Sequence, residues 1–525
     1  MYNAQMIEID IFNWLMALLP VLLVLLLMTV FQWGASKAGV FTWLVTQIIA
    51  ISFFGASLKL LEYAYIKAFF LALDVLLIIW GAMFLYQVTK SAGTIEVIGN
   101  FLAKFTGNEA FLGIFLGWLF PSFLQGMGGF GVPVAVSAPL LVSSGFSPIL
   151  AVLITSIGHG WGVTFGSMGS SFKTMMAVTG LSAEYLAPLA ATLLGIAALL
   201  CGLMVVVLSG KKKDIPAALP LVLLCSSILA FGQYFLATNG LWVIAVTLPA
   251  LAALGAGFLY LKTVASFSKN YLSSIGKEER NRILIAFLPY ILLVILIVFF
   301  NFFTPLQDFF APFKLILSFP ELSTRFGFVT PAENSKGVNL FLHPGTIIML
   351  SALVSFKILK KKAYLENVSL GEIVRNSFNN TLNTSIAIFS LVGITMVMNH
   401  SQMTNILAIG ISNVFNRATY PLISPFIGAL GAFITGSNNN SNVLFGNLQW
   451  QTADMLGLSV PLILAAQTAG GALGSIMAPA KVILGCSTVG LVGKEGSVIG
   501  KLILYCCALL LMISMITFFF TGIFS

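Results

Sequence analysis

Long apolar runs recur from one end of the chain to the other, separated by short polar connections. A helix needs about 20 apolar residues to cross a bilayer. Runs of that kind lie at 11–31, 41–58, 68–86, 186–209, 216–233, 240–261, 283–304, 343–359, 377–398 and 500–522. Two further stretches, 109–180 and 420–495, are apolar overall but crowded with Gly, Pro, Ser, Thr and Asn. Backbone of that kind is tolerated at membrane depth only when buried in protein or lining a polar cavity. They therefore predict broken or re-entrant helices, and the whole pattern predicts an all-α polytopic membrane protein of about 12–14 transmembrane elements. The alternating segments of a transmembrane β-barrel are absent.

The two interrupted stretches share features at one displacement. Gly166-Ser167-Met168-Gly169 is followed by Lys173, and Gly474-Ser475-Ile476-Met477 by Lys481, each 308 positions later. Gly128 and Gly436 are related in the same way, and Asp74 falls within a residue of it opposite Asn383. These matches predict two repeated halves, and leave open whether they are parallel or inverted. The organisation expected is an N-terminal membrane half, 1–210, a middle membrane section, 211–342, and a C-terminal membrane half, 343–525. Interrupted segments at corresponding places of two halves point to a transporter's binding site. Channels also use broken elements, so this pattern indicates ligand passage more firmly than it indicates a carrier.

Composition removes the alternatives. Of 525 residues, 58% are hydrophobic and 8% charged, too few charges for a soluble surface and too many apolar residues for disorder. The net charge of +9 does not mark a nucleic-acid face, because the basic residues sit in short connections. Lys211-Lys212-Lys213 form one group, Lys269, Lys277, Arg280 and Arg282 a second, and Lys357, Lys360, Lys361, Lys362 and Arg375 a third. Parity puts all three on one side, which the positive-inside bias makes cytoplasmic, and puts connection 305–342 outside. Glu8 and Asp10, not basic residues, precede the first run, so it reads as a retained span rather than a signal peptide. The five cysteines, Cys201, Cys225, Cys486, Cys506 and Cys507, lie in apolar surroundings without metal-ligand spacing and read as small buried hydrophobes. The cluster Gly126, Gly128, Gly129, Gly131 and Pro133 lacks the lysine and Ser/Thr of a phosphate loop. No H-E-x-x-H or G-x-S-x-G motif occurs, so an enzyme, a metal site and a resident cofactor are not expected.

Six segments carry a resemblance. They are GFGVPVAV at 129–136, SPILAVLI at 147–154, VTFGSMG at 163–169, GSNNNSNVLFGNLQ at 436–449, AAQTAGGALGSIMAPAKV at 465–482 and VGLVGKE at 489–495. Through them nearly the whole chain resembles the bacterial lactate permease family. That resemblance implies a secondary carrier in the bacterial inner membrane, built from two related halves, that takes up lactate or glycolate with protons. The chain departs from the family's usual pattern at His159 and Trp161 of GHGW and at Pro479-Ala480-Lys481, where familiar members carry a Pro-Gln pair. The carrier class is thus a firmer expectation than the lactate assignment. A carrier of another small organic anion and a sodium-coupled carrier of the same architecture are the alternatives.

Site candidates follow from chemistry. Asn438, Asn439, Asn440, Ser441 and Asn442 could bind a small acid at a helix break, since N–H groups at a helix N-terminus favour an anion; a surface turn is the plain alternative. Lys173 and Lys481 would find a counterion in the substrate carboxylate, or would snorkel at a span end. Gln467, Thr468, Gly131 and Ser167 lie within the same segments. His159 suits a substrate contact or a proton relay. Asp74, alone in FFLALDVLLIIW, must face the bundle or stay protonated, which suits proton coupling or a hydrogen-bonded structural role. His343 reads as a cap or interface residue. The expected partners are a small organic anion, a proton and the lipid bilayer, with no nucleic acid; a monomer and a homodimer both fit.

Overall fold

A computed structural model describes residues 10–524, apart from 105, 107, 130, 212, 265–275, 335–337, 367 and 493. Glu8, Phe130, Lys212, Lys269 and Gly493, which entered the sequence reading, lie outside the described residues. Apart from short strand pairs within 314–339, its regular structure is helical.

The first half contains α1 (Ile11–Thr29), α2 (Ala35–Phe54), α3 (Leu58–Ser91), α4 (Thr94–Ala103), α5 (Glu109–Met127), α6 (Val132–Ser143), α7 (Pro148–Gly160), α8 (Gly166–Thr179) and α9 (Ala183–Ser209). A hairpin follows, α10 (Ile215–Thr238) and α11 (Thr247–Val264). Then come α12 (Lys277–Phe302), the short α13 (Thr304–Phe310), α14 (Pro344–Lys361), α15 (Leu370–His400), α16 (Met403–Val414), α17 (Tyr420–Thr435), α18 (Asn438–Met455), α19 (Val460–Ile476), α20 (Pro479–Thr488) and α21 (Glu495–Phe524). Among the described residues, ten helical stretches are long and apolar enough to cross a bilayer, and the pair α7–α8, bent by 46°, makes an eleventh. The outer helices turn apolar side chains outward, as Ile48, Phe231, Phe299 and Phe519 do. In water that surface would aggregate; in lipid it is the expected exterior.

The repeat extends far beyond the two motifs. Helices α2 to α9 correspond in order to α14 to α21, with starts displaced by close to the 308 residues seen in sequence. The packing exchanges in the same way: α2 lies on α15 and α14 on α3, α8 on α18 and α20 on α6, α9 on α19 and α21 on α7. Helix α1 packs on α2 and α16, and α12 on the equivalent α14 and α4, so α12 takes the place of α1. One close contact is shared by both halves. A Cβ on Gly158 would lie 1.9 Å from the Gly117 carbonyl oxygen, and one on Gly470 would lie 1.9 Å from that of Pro425. Only glycine allows the backbones of α5 and α7, and of α17 and α19, to approach so closely.

The halves are inverted. Connection 305–342 meets α3 near its start, where the Arg325 N–H donates to the Gly55 carbonyl at 2.8 Å and Lys67 pairs with Glu333. The same connection meets α15 at its end, where His400 Nδ1 bonds Thr330 Oγ1 at 3.1 Å. Helix α3 therefore runs away from this face and its counterpart α15 runs toward it. The opposite face gathers the basic connections: Lys104 pairs with Glu279 and Lys211 with Glu109.

Candidate functional site

Helices α17 and α18 form a hairpin whose two ends meet, Arg417 Nη2 donating to the Gly457 carbonyl at 2.7 Å. The tip, Gly436-Ser437, turns inside the protein. Gly436 adopts a left-handed conformation (φ 75°) and Ser437 an extended one. Ser437 makes no side-chain cap, so the first N–H groups of α18 lack intrahelical partners. Beside the tip, the first turn of α8 is kinked, with Ser167, Met168 and Gly169 all in left-handed backbone (φ 47°, 56° and 73°). For two non-glycine residues this is strained, and strain of that kind persists only where surrounding structure enforces it.

A buried polar network does so. Asn438 Nδ2 donates to Thr164 Oγ1 at 3.1 Å and to the Thr468 carbonyl at 3.2 Å. Asn442 Nδ2 donates to Thr468 Oγ1 at 2.9 Å and to the Ser171 carbonyl at 3.0 Å. The Ser171 hydroxyl donates to Asn439 Oδ1. Behind these, the Tyr420 hydroxyl donates to Gln449 Oε1 at 2.6 Å, Gln449 Nε2 to Gln467 Oε1 at 3.0 Å, and Gln467 Nε2 to Ser441 Oγ at 3.1 Å. Desolvated amides and hydroxyls are costly unless paired. Their pairing across α8, α18 and α19 makes the two halves one interior.

Two cavities flank the contact between α8 and α18. The first, about 330 Å³, lies toward the basic face and is lined by Ser36, Ser167, Ser170, Ser171, Asn383, Thr384, Ser437 to Asn440, and Lys481. The second, about 670 Å³, lies under connection 305–342 and is lined by Asp74, Lys173, Thr179, Thr330, His400, Trp450 and Gln451 among others. Both α8 and α18 start at the first cavity and run to the second.

The two repeat lysines differ. Lys481, on the first turn of α20, donates from Nζ to Ser475 Oγ at 3.1 Å, and no carboxylate among the described residues pairs with it. Lys173 Nζ stands 2.8 Å from Asp74 Oδ2. Asp74 Oδ1 is 2.9 Å from His343 Nε2, while His343 Nδ1 accepts the Gly345 N–H at 3.1 Å. An imidazole nitrogen that accepts a hydrogen bond carries no proton, so the proton of His343 is on Nε2 and is donated to Asp74.

The profile described as L-lactate permease matches residues 13–524. The chain belongs to the L-lactate permease family. It is 26% identical to an L-lactate permease of Halalkalibacterium halodurans over 97% of each chain, and 28% identical to one of Bacillus subtilis over 97% of this chain and 96% of that one. It is 26% identical to the glycolate permease GlcA of Escherichia coli, over 92% of this chain and 90% of that one. Among solved structures it is similar to the Alcanivorax borkumensis YdaH transporter, at 14% identity and a TM-score of 0.46 over 85% of each chain. As a member of this permease family with its multi-pass helical architecture, the chain is a bacterial plasma-membrane protein.

Within this permease, Asn438, Asn439, Asn440, Ser167 and Lys481 meet at the first cavity. Ser441, Asn442, Gln467 and Thr468 sit directly behind it in the network. Lys173 and Asp74 are at the second cavity and bind each other. Gly131 caps α6 with φ 87°, beside Leu484, and lines neither cavity. His159 lines neither cavity: it is buried, with Nδ1 donating to the Thr155 carbonyl at 2.6 Å. Trp161, beside it, is fully buried and donates to Ser122 Oγ at 2.9 Å. Thr164, Ser170, Ser171, Tyr420 and Gln449 were not singled out in sequence. Gln449 closes the GNLQ family segment, which was the available signal. Tyr420 and the serines carried none, because their partners lie far away along the chain.

Proposed function

We propose that this permease carries a small 2-hydroxy monocarboxylate, L-lactate, D-lactate or glycolate, into the cell together with a proton, by exposing its two cavities alternately. The observation that carries the reading is Lys481: a cation without a carboxylate partner among the described residues, at the wall of a small polar cavity that also receives the N-terminus of α18. A substrate carboxylate would pair with Lys481 and the free N–H groups of Asn438 to Asn440, since a helix N-terminus and an ammonium favour the same ligand charge. Its hydroxyl would be met by Ser167, Ser170 and the Asn440 amide, whose Oδ1 is buried and unpartnered. Ser441, Asn442, Gln467 and Thr468 act as the frame that aims α18.

Under the positive-inside bias, the basic connections are cytoplasmic and connection 305–342 is external. The first cavity then opens inward and the second outward. The division at 1–210, 211–342 and 343–525 stands as the proposed organisation, with α12 moving alongside the C-terminal half. An inverted pair can exchange conformations, so that the closed side of one becomes the open side of the other. Asp74 is the proposed proton carrier; it lines a cavity, whereas His159 does not. One anion moving with one proton transfers no net charge.

A second reading is favoured by one observation. Asn438, Asn440 and Asn442 each hold a buried, unpartnered amide oxygen, and carbonyl oxygens of this kind suit a sodium ion. Uptake of labelled L-lactate, D-lactate, glycolate and propionate into proteoliposomes separates the readings. Accumulation driven by a pH gradient in choline buffer, with the three 2-hydroxy acids preferred, is the expected result. Accumulation only under a sodium gradient would replace the proton, and equal handling of propionate would remove the 2-hydroxy requirement.

A further inference from the structure

The inverted repeat sets two lysines and two partners in corresponding places. Lys173 lines the outer cavity with Asp74; Lys481 lines the inner cavity with Asn383. Counted from the helix ends, Asp74 and Asn383 match: Asp74 lies 17 residues before the end of α3 and Asn383 17 before the end of α15. The corresponding sites thus differ by one negative charge. Where the acid is present, the lysine is paired at 2.8 Å; where the amide stands, it has no carboxylate partner among the described residues. A second difference reinforces the first. His343 is the N-cap of α14 and holds Asp74 Oδ1, whereas the N-cap of the equivalent α2 is Gly34, which has no side chain to hold anything.

We propose that the Asp74 carboxylate occupies, on Lys173, the place of a substrate carboxylate, so that the outer cavity contains a second anion subsite that opens only when Asp74 takes up a proton. His343 is a positioning residue, keeping Asp74 turned so that Oδ2 faces Lys173. This deepens the proposed function and rests on its carboxylate substrate, while adding a location and an order of events.

The step balances simply. A proton from the external solution adds to Asp74 Oδ2, the carboxylate becomes a neutral acid, and the Lys173 ammonium keeps its charge and pairs with the incoming anion. When the anion leaves, Asp74 loses the proton and pairs with Lys173 again. The other ionisable groups facing this site are accounted for. Lys67 of α3 is held by Glu333 of connection 305–342, and His400 of α15 bonds Thr330. On α4, Glu96 lies near Tyr86, further along α3 than Asp74. The charges at the start of α12 lie at the basic face, where Glu279 meets Lys104. Among the described residues lining this cavity, Lys173 is therefore the cation, and Asp74 the acid, available to exchange partners.

The test has two arms on the full-length protein. In right-side-out vesicles held at fixed internal pH, the half-saturating external concentration of L-lactate, glycolate or propionate should rise about tenfold per pH unit above the titration of Asp74, the slope for one linked proton. In Asp74→Asn that dependence should vanish. His343→Gln, which keeps a donor, should retain the dependence, and His343→Ala should displace it along the pH axis. The second arm needs no variant to fold: infrared difference spectra of the wild-type protein on adding propionate should gain a protonated-carboxyl band. A flat external pH dependence in wild type, or a dependence kept in Asp74→Asn, or no such band, overturns the proposal. Equal affinity for propionate and lactate with the slope intact would instead remove the 2-hydroxy reading and leave this one standing.

Discussion

Asn442 Nδ2 reaches across the repeat and donates to the Ser171 carbonyl at 3.0 Å, while also donating to Thr468 Oγ1 at 2.9 Å. One amide thus ties α18 of the second half to α8 of the first and to α19 behind it. Asn442→Ala leaves both acceptors buried without this donor. The expected loss is about 1–3 kcal/mol of stability, seen as a lower midpoint of thermal unfolding in detergent. An unchanged midpoint would mean that the network is not what fixes the tip of α18.

The Lys173–Asp74 pair is largely buried, with side-chain exposures of 21% and 16%. Removing either partner should cost more than removing both, because a lone charge is left in a poorly solvated place. A double-mutant cycle on Lys173→Gln and Asp74→Asn should give a coupling of about 0.5–3 kcal/mol, read from thermal unfolding. Additive effects would mean that the two side chains do not depend on each other.

Gly470 has no room for a methyl group against the Pro425 carbonyl. Gly470→Ala must push α17 from α19, at a cost of about 1–3 kcal/mol, and so displace the Gly436-Ser437 tip. Reduced thermal stability together with reduced uptake is expected. A variant with the stability of the wild type would show that the helices can separate freely.

Much of this arrangement was legible in the chain, for identifiable reasons. Spans such as α1, α2 and α12 announce themselves because lipid demands an unbroken apolar run. The breaks at Gly166 and Gly436 were legible because glycine and polar residues have few other uses at that depth. Pairings across the chain were not. Asp74 looked solitary because Lys173 and His343 are its neighbours only through the fold. His343 was correctly suspected of capping, which it does for Gly345, but its other nitrogen serves Asp74. The sense of the repeat was also hidden, since Gly-rich motifs recur identically in parallel and inverted duplications. It took the contacts of connection 305–342 with Gly55 and His400 to decide it.

That sense has its own check. Ser36 and Ser437 line the inner cavity, and Thr330 the outer. With cysteine at Ser36 or Ser437, a membrane-impermeant thiol reagent should react in inside-out vesicles and not in right-side-out vesicles. With cysteine at Thr330 the order should reverse. The native cysteines are buried, apart from the half-buried Cys507, so the background should be low. Labelling of all three positions from one side would overturn the assignment of the cavities to opposite faces.

The central claim is that Lys481 holds the substrate's carboxylate at the N-terminus of α18. Equilibrium binding of labelled L-lactate to the purified protein, wild type against Lys481→Gln, tests it most directly. Loss of one charge-assisted contact, about 1.5–3 kcal/mol, predicts an affinity at least about tenfold weaker for a variant that remains folded by thermal unfolding. An unchanged affinity in that folded variant would contradict the account.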